Sequence, residues 1–168
     1  MLRILHQIFK VGTITEPLVP SEAFEVVGAK LQNTIKQRFR GSLAIRLVDA
    51  GSCNGCELEI HAANNAYYDI ERFGIHFTAS PRFADMLLVT GPVSINMKKA
   101  LEMTYNAMPT PKLVIAMGDC TINCGVFGQD NYAIAGKVED IIPVDAVIAG
   151  CPPSPSDLIQ GILATLTV

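Results

Sequence analysis

Four short apolar runs do most to limit what this chain can fold into: Leu43–Asp49, Asp85–Thr90, Lys112–Met117 and Val144–Ala149. Each is the length of a strand and too short for a helix of ordinary size. Several are apolar at successive positions rather than at alternate ones. A strand of that kind must be covered on both faces, which is the habit of parallel sheets. A further extended stretch, Ile75–Ala79, lies between the first two runs, and helical segments of crossover length separate the others.

The alternation predicts an α/β domain of the flavodoxin-like, doubly wound class with a mainly parallel sheet. Helices are expected over 57–73, with Leu58, Ala62, Ala66 and Ile70 along one face, and from about Ser94 to Met108. A last helix opens at Ser154-Pro155, where serine can cap and proline suits the first helical position. Ahead of the first strand, Phe24, Val27, Leu31, Ile35 and Phe39 form one stripe of a helix over 21–40. Residues 1–20 read as an extended apolar arm broken by prolines. The expected division is residues 1–40, an arm and helix docking on partner subunits, and residues 41–168, one flavodoxin-like domain.

At 168 residues, the chain is long enough for one domain with a sizeable core. With 49% hydrophobic and 17% charged residues, it suits a subunit that covers much of its exterior with partners. A net charge of −3 and the absence of a basic patch argue against nucleic acid as a partner. No stretch is apolar for long enough to span a bilayer. The opening Met1–Lys10 is too interrupted by polar groups for a signal peptide, so residence in the cytosol is expected. In that compartment, five cysteines read as metal ligands or free thiols before disulfides.

The cysteines fall where an open α/β sheet places its sites, outside the carboxyl ends of strands. Cys53 and Cys56 follow the first run, Cys120 follows Met117, and Cys151 follows Ala149. Small or turn-forming residues, Gly51, Gly55, Gly118, Gly150, Pro152 and Pro153, let backbone approach a bulky group. Together these features point to a four-thiolate site. Zinc is one candidate, although it usually takes two Cys-x-x-Cys knuckles rather than one pair and two singletons. A cubane iron–sulfur cluster also wants four cysteines and tolerates dispersed ones.

Several segments then carry a family resemblance: Cys53-Asn54-Gly55-Cys56-Glu57-Leu58-Glu59, Glu71-Arg72-Phe73-Gly74-Ile75, Ser80-Pro81-Arg82-Phe83-Ala84-Asp85, Val89-Thr90-Gly91-Pro92-Val93 and Gly150-Cys151-Pro152-Pro153-Ser154-Pro155. Over about 41–168 the chain resembles the small subunit of membrane-bound, energy-converting nickel–iron hydrogenases of the formate hydrogenlyase type. That group is homologous to the cluster-bearing quinone-site subunit of respiratory complex I. The resemblance implies one 4Fe–4S cluster, the proximal cluster, on Cys53, Cys56, Cys120 and Cys151. It further implies a large subunit carrying the nickel–iron centre, a ferredoxin-like iron–sulfur subunit, and integral membrane subunits. These would hold the chain peripherally on the cytoplasmic face of the membrane. The implied role is electron transfer within an oxidoreductase complex, with no complete active site in this chain.

Cys53 and Cys56 are separated where complex I homologues have adjacent cysteines, which favours the hydrogenase branch. A complex I-type subunit whose cluster reduces quinone is the alternative, and a redox-inert, zinc-stabilised scaffold is a further one. Cys124 stands where relatives carry a small residue and reads as a spare thiol. By motif position Glu59 matches the family carboxyl implicated in proton transfer, with Glu57 second; the alternative for both is a carboxylate favoured by the dipole at a helix N-terminus. Arg82 is expected to stabilise a reduced cluster or to pair with Asp85. His6, His61 and His76 are scattered and read as ordinary packed or exposed imidazoles.

Overall fold

Met86–Thr90 is buried at every position, so the sheet that holds it must be covered on both faces. The computed structural model describes residues 22–167 together with 6, 9 and 10. In chain order its main elements are α1 (Glu22–Phe39), β1 (Leu43–Asp49), α2 (Gly55–Ala63), β2 (Ile75–Phe77), β3 (Met86–Thr90), β4 (Val93–Ser94), α3 (Ile95–Ala107), β5 (Leu113–Met117), α4 (Cys120–Asn123), β6 (Ile134–Gly136), β7 (Ala146–Ile148) and α5 (Pro155–Thr167). Five strands form one sheet in the order β2-β1-β3-β5-β7, with every neighbouring pair parallel. The chain steps outward from β1 to β2, then reverses across β1 to β3. That reversal is the topological switch point of a flavodoxin-like sheet.

Alternation along β3 divides the core. Met86 and Leu88 face a cluster built with α1, α2 and α5, through Leu31, Ile35, Ile60, Leu158, Ile159 and Ile162. Leu87 and Val89 face the other side, where Leu101, Met108, Val138 and Ile142 cover the sheet. Side chains cap α3 and α5. Ser94 Oγ accepts the Met97 N–H at 3.3 Å. The Ser154 hydroxyl accepts the Asp157 N–H at 3.3 Å, while the Ser154 N–H donates to the Asp157 carboxylate at 2.9 Å. The Ser154 hydroxyl also donates to Asp157 Oδ2 at 2.6 Å, and this bond first, with the backbone one second, holds the Asp157 carboxyl below its usual range.

Four features add to the expectation or differ from it. The α1 stripe is spent inside the chain: Leu31 and Ile35 are fully buried, and α1 packs on α5 and on Phe73. A Cβ at Gly28 would come within 2.2 Å of the Phe73 ring. One face of the helix is thus packed on the domain, while Val26 on it stays 53% exposed. The arm expected over 1–20 lies outside the described residues, apart from 6, 9 and 10.

Next, α2 stops at Ala63 instead of running to 73. The Asn65 side chain accepts the N–H groups of Tyr67 and Tyr68 at 2.8 and 3.0 Å, an alternative to helical bonding that turns the chain. The face that α2 buries carries Cys56, Glu57, Ile60 and Ala63, and Leu58 is 61% exposed. Arg82 is exposed, and Asp85 accepts the Ala44 N–H at 2.9 Å rather than pairing with it. Finally, β4 and β6 form a small antiparallel sheet that no apolar run announced.

Candidate metal centre

The loop after β1 is folded by its own side chains. Asp49 Oδ1 accepts the N–H groups of Gly51 and Ser52, both at 2.8 Å. Ser52 Oγ then accepts the Asn54 N–H at 3.0 Å. Asn54, with φ of 71°, takes the left-handed turn into α2, a conformation asparagine tolerates better than most residues. Cys53 is exposed at this turn, and Cys56 is buried in the first turn of α2. The loop after β3 lies directly against it. A Cβ on Gly91, at φ of 74°, would sit 2.5 Å from the Ser52 nitrogen, so only glycine fits there.

Gly118 closes the approach from β5. A Cβ there would meet Cys56 Sγ at 2.8 Å and Cys120 Sγ at 3.8 Å. The loops after β5 and β7 are tied to each other: the Asp119 N–H donates to the Gly150 carbonyl at 2.9 Å, and the Gly150 N–H donates to Asp119 Oδ1 at 2.7 Å. The turn after β1 reaches the last loop as well. A Cβ on Gly55 would touch Cys53 Sγ at 3.5 Å and Pro152 at 3.8 Å, beside the exposed Cys151. Loops from β1, β5 and β7 thus meet at one edge of the sheet.

The thiols feel one another. Burial pushes the Cys56 thiol up to about 12, and the charges of Cys120, Glu57, Cys53 and Cys151 push the same way. Burial also raises Cys120; its own backbone N–H opposes this, and Cys151 and Cys53 reinforce it. Four thiolates so close cannot all ionise without a compensating positive centre, and metal binding deprotonates such ligands. The donor set therefore suits a cationic group. Among the described residues, no group of three or more His, Cys, Asp or Glu forms a ready-made ligand set for a metal ion. A tetrahedral zinc on four thiolates and a four-iron cluster would both draw on these same four sulfurs.

Cys124 keeps different company. It is fully buried at φ of 61°, a backbone position that favours glycine. Its thiol is raised by burial first and then by Asp140, with Lys137 opposing. His61 is exposed, and His76 Nδ1 lies 3.1 Å from the Ser42 hydroxyl at the other end of the sheet.

The two glutamates separate as their spacing requires. Glu59 is half-buried, with no hydrogen bond or ion pair among the described residues. Glu57 is buried to 7% exposure. The Ser52 hydroxyl donates to its Oε2 at 2.7 Å, and the Thr90 hydroxyl donates to Oε1. This triad went unread in the sequence. Its one visible signal was Thr90, a hydroxyl closing an otherwise apolar strand.

The family model described as the NADH ubiquinone oxidoreductase, 20 Kd subunit, matches residues 53–165. The chain is 44% identical over 119 residues to the probable membrane-bound hydrogenase subunit mbhJ of Pyrococcus furiosus, covering 71% of each. It is 39% identical over 153 residues to formate hydrogenlyase subunit 7 of Escherichia coli, covering 91% of this chain and 58% of that one. Among solved structures, the membrane-bound sulfane sulfur reductase, an archaeal respiratory membrane complex, contains a similar chain. The TM-score is 0.67 with 37% identity, over 82% of this chain and 74% of that one.

Proposed function

The chain belongs to the NADH ubiquinone oxidoreductase 20 Kd subunit family, as its motifs implied, and from that premise we propose that it is the electron-transfer small subunit of a membrane-associated nickel–iron hydrogenase. Its relatives are subunits of membrane-bound oxidoreductase complexes. Among the described residues, no helix is long and apolar enough to cross a membrane. In this reading the chain is held peripherally at the cytoplasmic face by its partners. They are the large subunit with the nickel–iron centre, a ferredoxin-like iron–sulfur subunit, and integral membrane subunits.

Cys53, Cys56, Cys120 and Cys151 would hold one 4Fe–4S cluster. When bound, that group accepts and releases one electron at a time. The chain's own residues prepare the place. Gly118 leaves room between two of the thiols, and the Asp119–Gly150 ladder fixes the two distant loops. Burial of Cys56 and Cys120 excludes water from one side, one of the levers that set a cluster's potential. Glu59 is the carboxyl proposed to move protons near the subunit junction.

The observation that carries this reading is the meeting of three strand-end loops, with four thiols in one another's field. Anaerobic chemical analysis of the purified complex tests it. The expected result is nickel in the complex, and iron and sulfide in amounts that fall by about four each per chain when Cys120 is replaced. Zinc in their place would support a redox-inert scaffold.

A second reading keeps the cluster and changes the partner. The relative in the sulfane sulfur reductase complex and the complex I description of the family both support a site that serves other large subunits. The separation of Cys53 from Cys56 favours the hydrogenase branch over the quinone-reducing one. A nickel-free complex that reduces quinone or sulfane sulfur would decide for the second reading.

A further inference from the structure

Glu57 is a buried carboxylate, and among the described residues no lysine, arginine or histidine pairs with it. A charge buried without a cation is costly and needs compensating hydrogen bonds. Glu57 has two, and both come from hydroxyls of neighbouring loops, Ser52 after β1 and Thr90 at the end of β3. The first turn of α2 adds its helix dipole, which favours a carboxylate there.

The directions of these bonds are fixed by what each atom must do. Ser52 Oγ already accepts the Asn54 N–H at 3.0 Å, so its own proton is free for Glu57. Asn54 lies between the two cysteines of the turn. A continuous chain therefore runs from the Cys53–Cys56 backbone through Ser52 and Glu57 to Thr90 on the central strand. Among the described residues no other side-chain hydrogen bond ties that turn to β3, and Gly91 packs directly against Ser52.

We propose that Glu57 is a positioning residue for the centre: it clamps the Cys53–Cys56 turn to β3 and sets a fixed negative charge beside Cys56. This rests on the four-cysteine cluster proposed above. The two duties separate in one comparison. Glu57→Ala removes both hydrogen bonds and the charge. Glu57→Gln keeps the bonds and removes the charge alone. Its carbonyl accepts from Ser52, and its amide donates to Thr90 Oγ1, whose proton can turn to the Val48 carbonyl at 3.4 Å.

The test uses the purified complex and two readouts: the rate at which iron is lost to an anaerobic chelator, and the midpoint potential of the signal assigned to this chain. Glu57→Ala should lose iron on the order of 10-fold faster or more, the usual scale for an outer partner of a metal ligand. Glu57→Gln should hold iron like the wild type while its midpoint moves positive, because adding an electron no longer opposes a neighbouring charge. Should Glu57→Ala fail to assemble, Thr90→Val removes one arm of the clamp and is expected to fall between wild type and alanine in iron loss. A wild-type rate in Glu57→Ala or Thr90→Val overturns the inference, as does an unshifted midpoint or rapid iron loss in Glu57→Gln. A wild-type complex with no cluster on this chain would instead overturn the reading beneath it.

Discussion

Gly118 stands between Cys56 and Cys120, with room for a hydrogen and no more: a Cβ would lie 2.8 Å from one sulfur and 3.8 Å from the other. Its φ of 99° is also closed to side chains without strain of about 1–2 kcal/mol. Gly118→Ala should therefore remove the cluster while leaving the sheet intact. The check is iron content against far-UV circular dichroism: lost iron with a wild-type spectrum is expected, and full iron would show that the two sulfurs need no such gap.

The five cysteines should divide four to one. Serine at 53, 56, 120 or 151 is expected to abolish cluster binding. Cys124→Gly is expected to keep it, because Cys124 sits at a φ suited to glycine and answers to Asp140 and Lys137, not to the other thiols. Iron and sulfide assays on the five variants read this directly. Loss of iron in Cys124→Gly alongside retention in Cys120→Ser would exchange their roles.

Helix α1 should behave as part of the domain. At Gly28 an added methyl meets the Phe73 ring at 2.2 Å, and overpacking of this kind costs about 1–3 kcal/mol. Gly28→Ala is expected to lower the denaturation midpoint of the whole domain in a single transition. An unchanged midpoint would mean that α1 docks elsewhere.

Acid stability should carry a signature of the α5 cap. Asp157 has its carboxyl lowered by the Ser154 side chain first and its backbone second. A group with a depressed folded value stabilises the fold above its unfolded value, about 3.9 for aspartate, and that contribution fades as pH falls through the lower folded value. Asp157→Asn should flatten this part of the stability profile below about pH 4 and leave its shape unaltered at neutral pH. Urea midpoints across that range measure it.

Much of the fold was legible because its strands are written as apolar runs. Leu43–Asp49 keeps its expected bounds, and Asp85–Thr90 and Lys112–Met117 each lose only their first residue. What stayed hidden depended on side chains acting across the fold or against local propensity. The apolar stripe drawn through Leu58 and Ala66 fails twice: α2 turns Leu58 outward, and the Asn65 side chain ends the helix before Ala66. Asp85 looked like a partner for Arg82 and instead completes the backbone of a neighbouring strand at Ala44. For Glu57 and Glu59, spacing shows that they diverge, but only the position of Thr90 on β3 decides which is buried. The cysteines were the opposite case. Their relation follows from topology alone, since parallel strands deliver their following loops to one edge.

The role proposed for the chain stands on Cys53, Cys56, Cys120 and Cys151 holding one redox-active iron–sulfur cluster. Low-temperature EPR of the anaerobically reduced complex, wild type against Cys120→Ser, tests it most directly. The wild type is expected to show a fast-relaxing signal that the variant lacks, with the signals of other subunits unchanged. Identical spectra from the two complexes, with zinc bound to this chain in both, would contradict it.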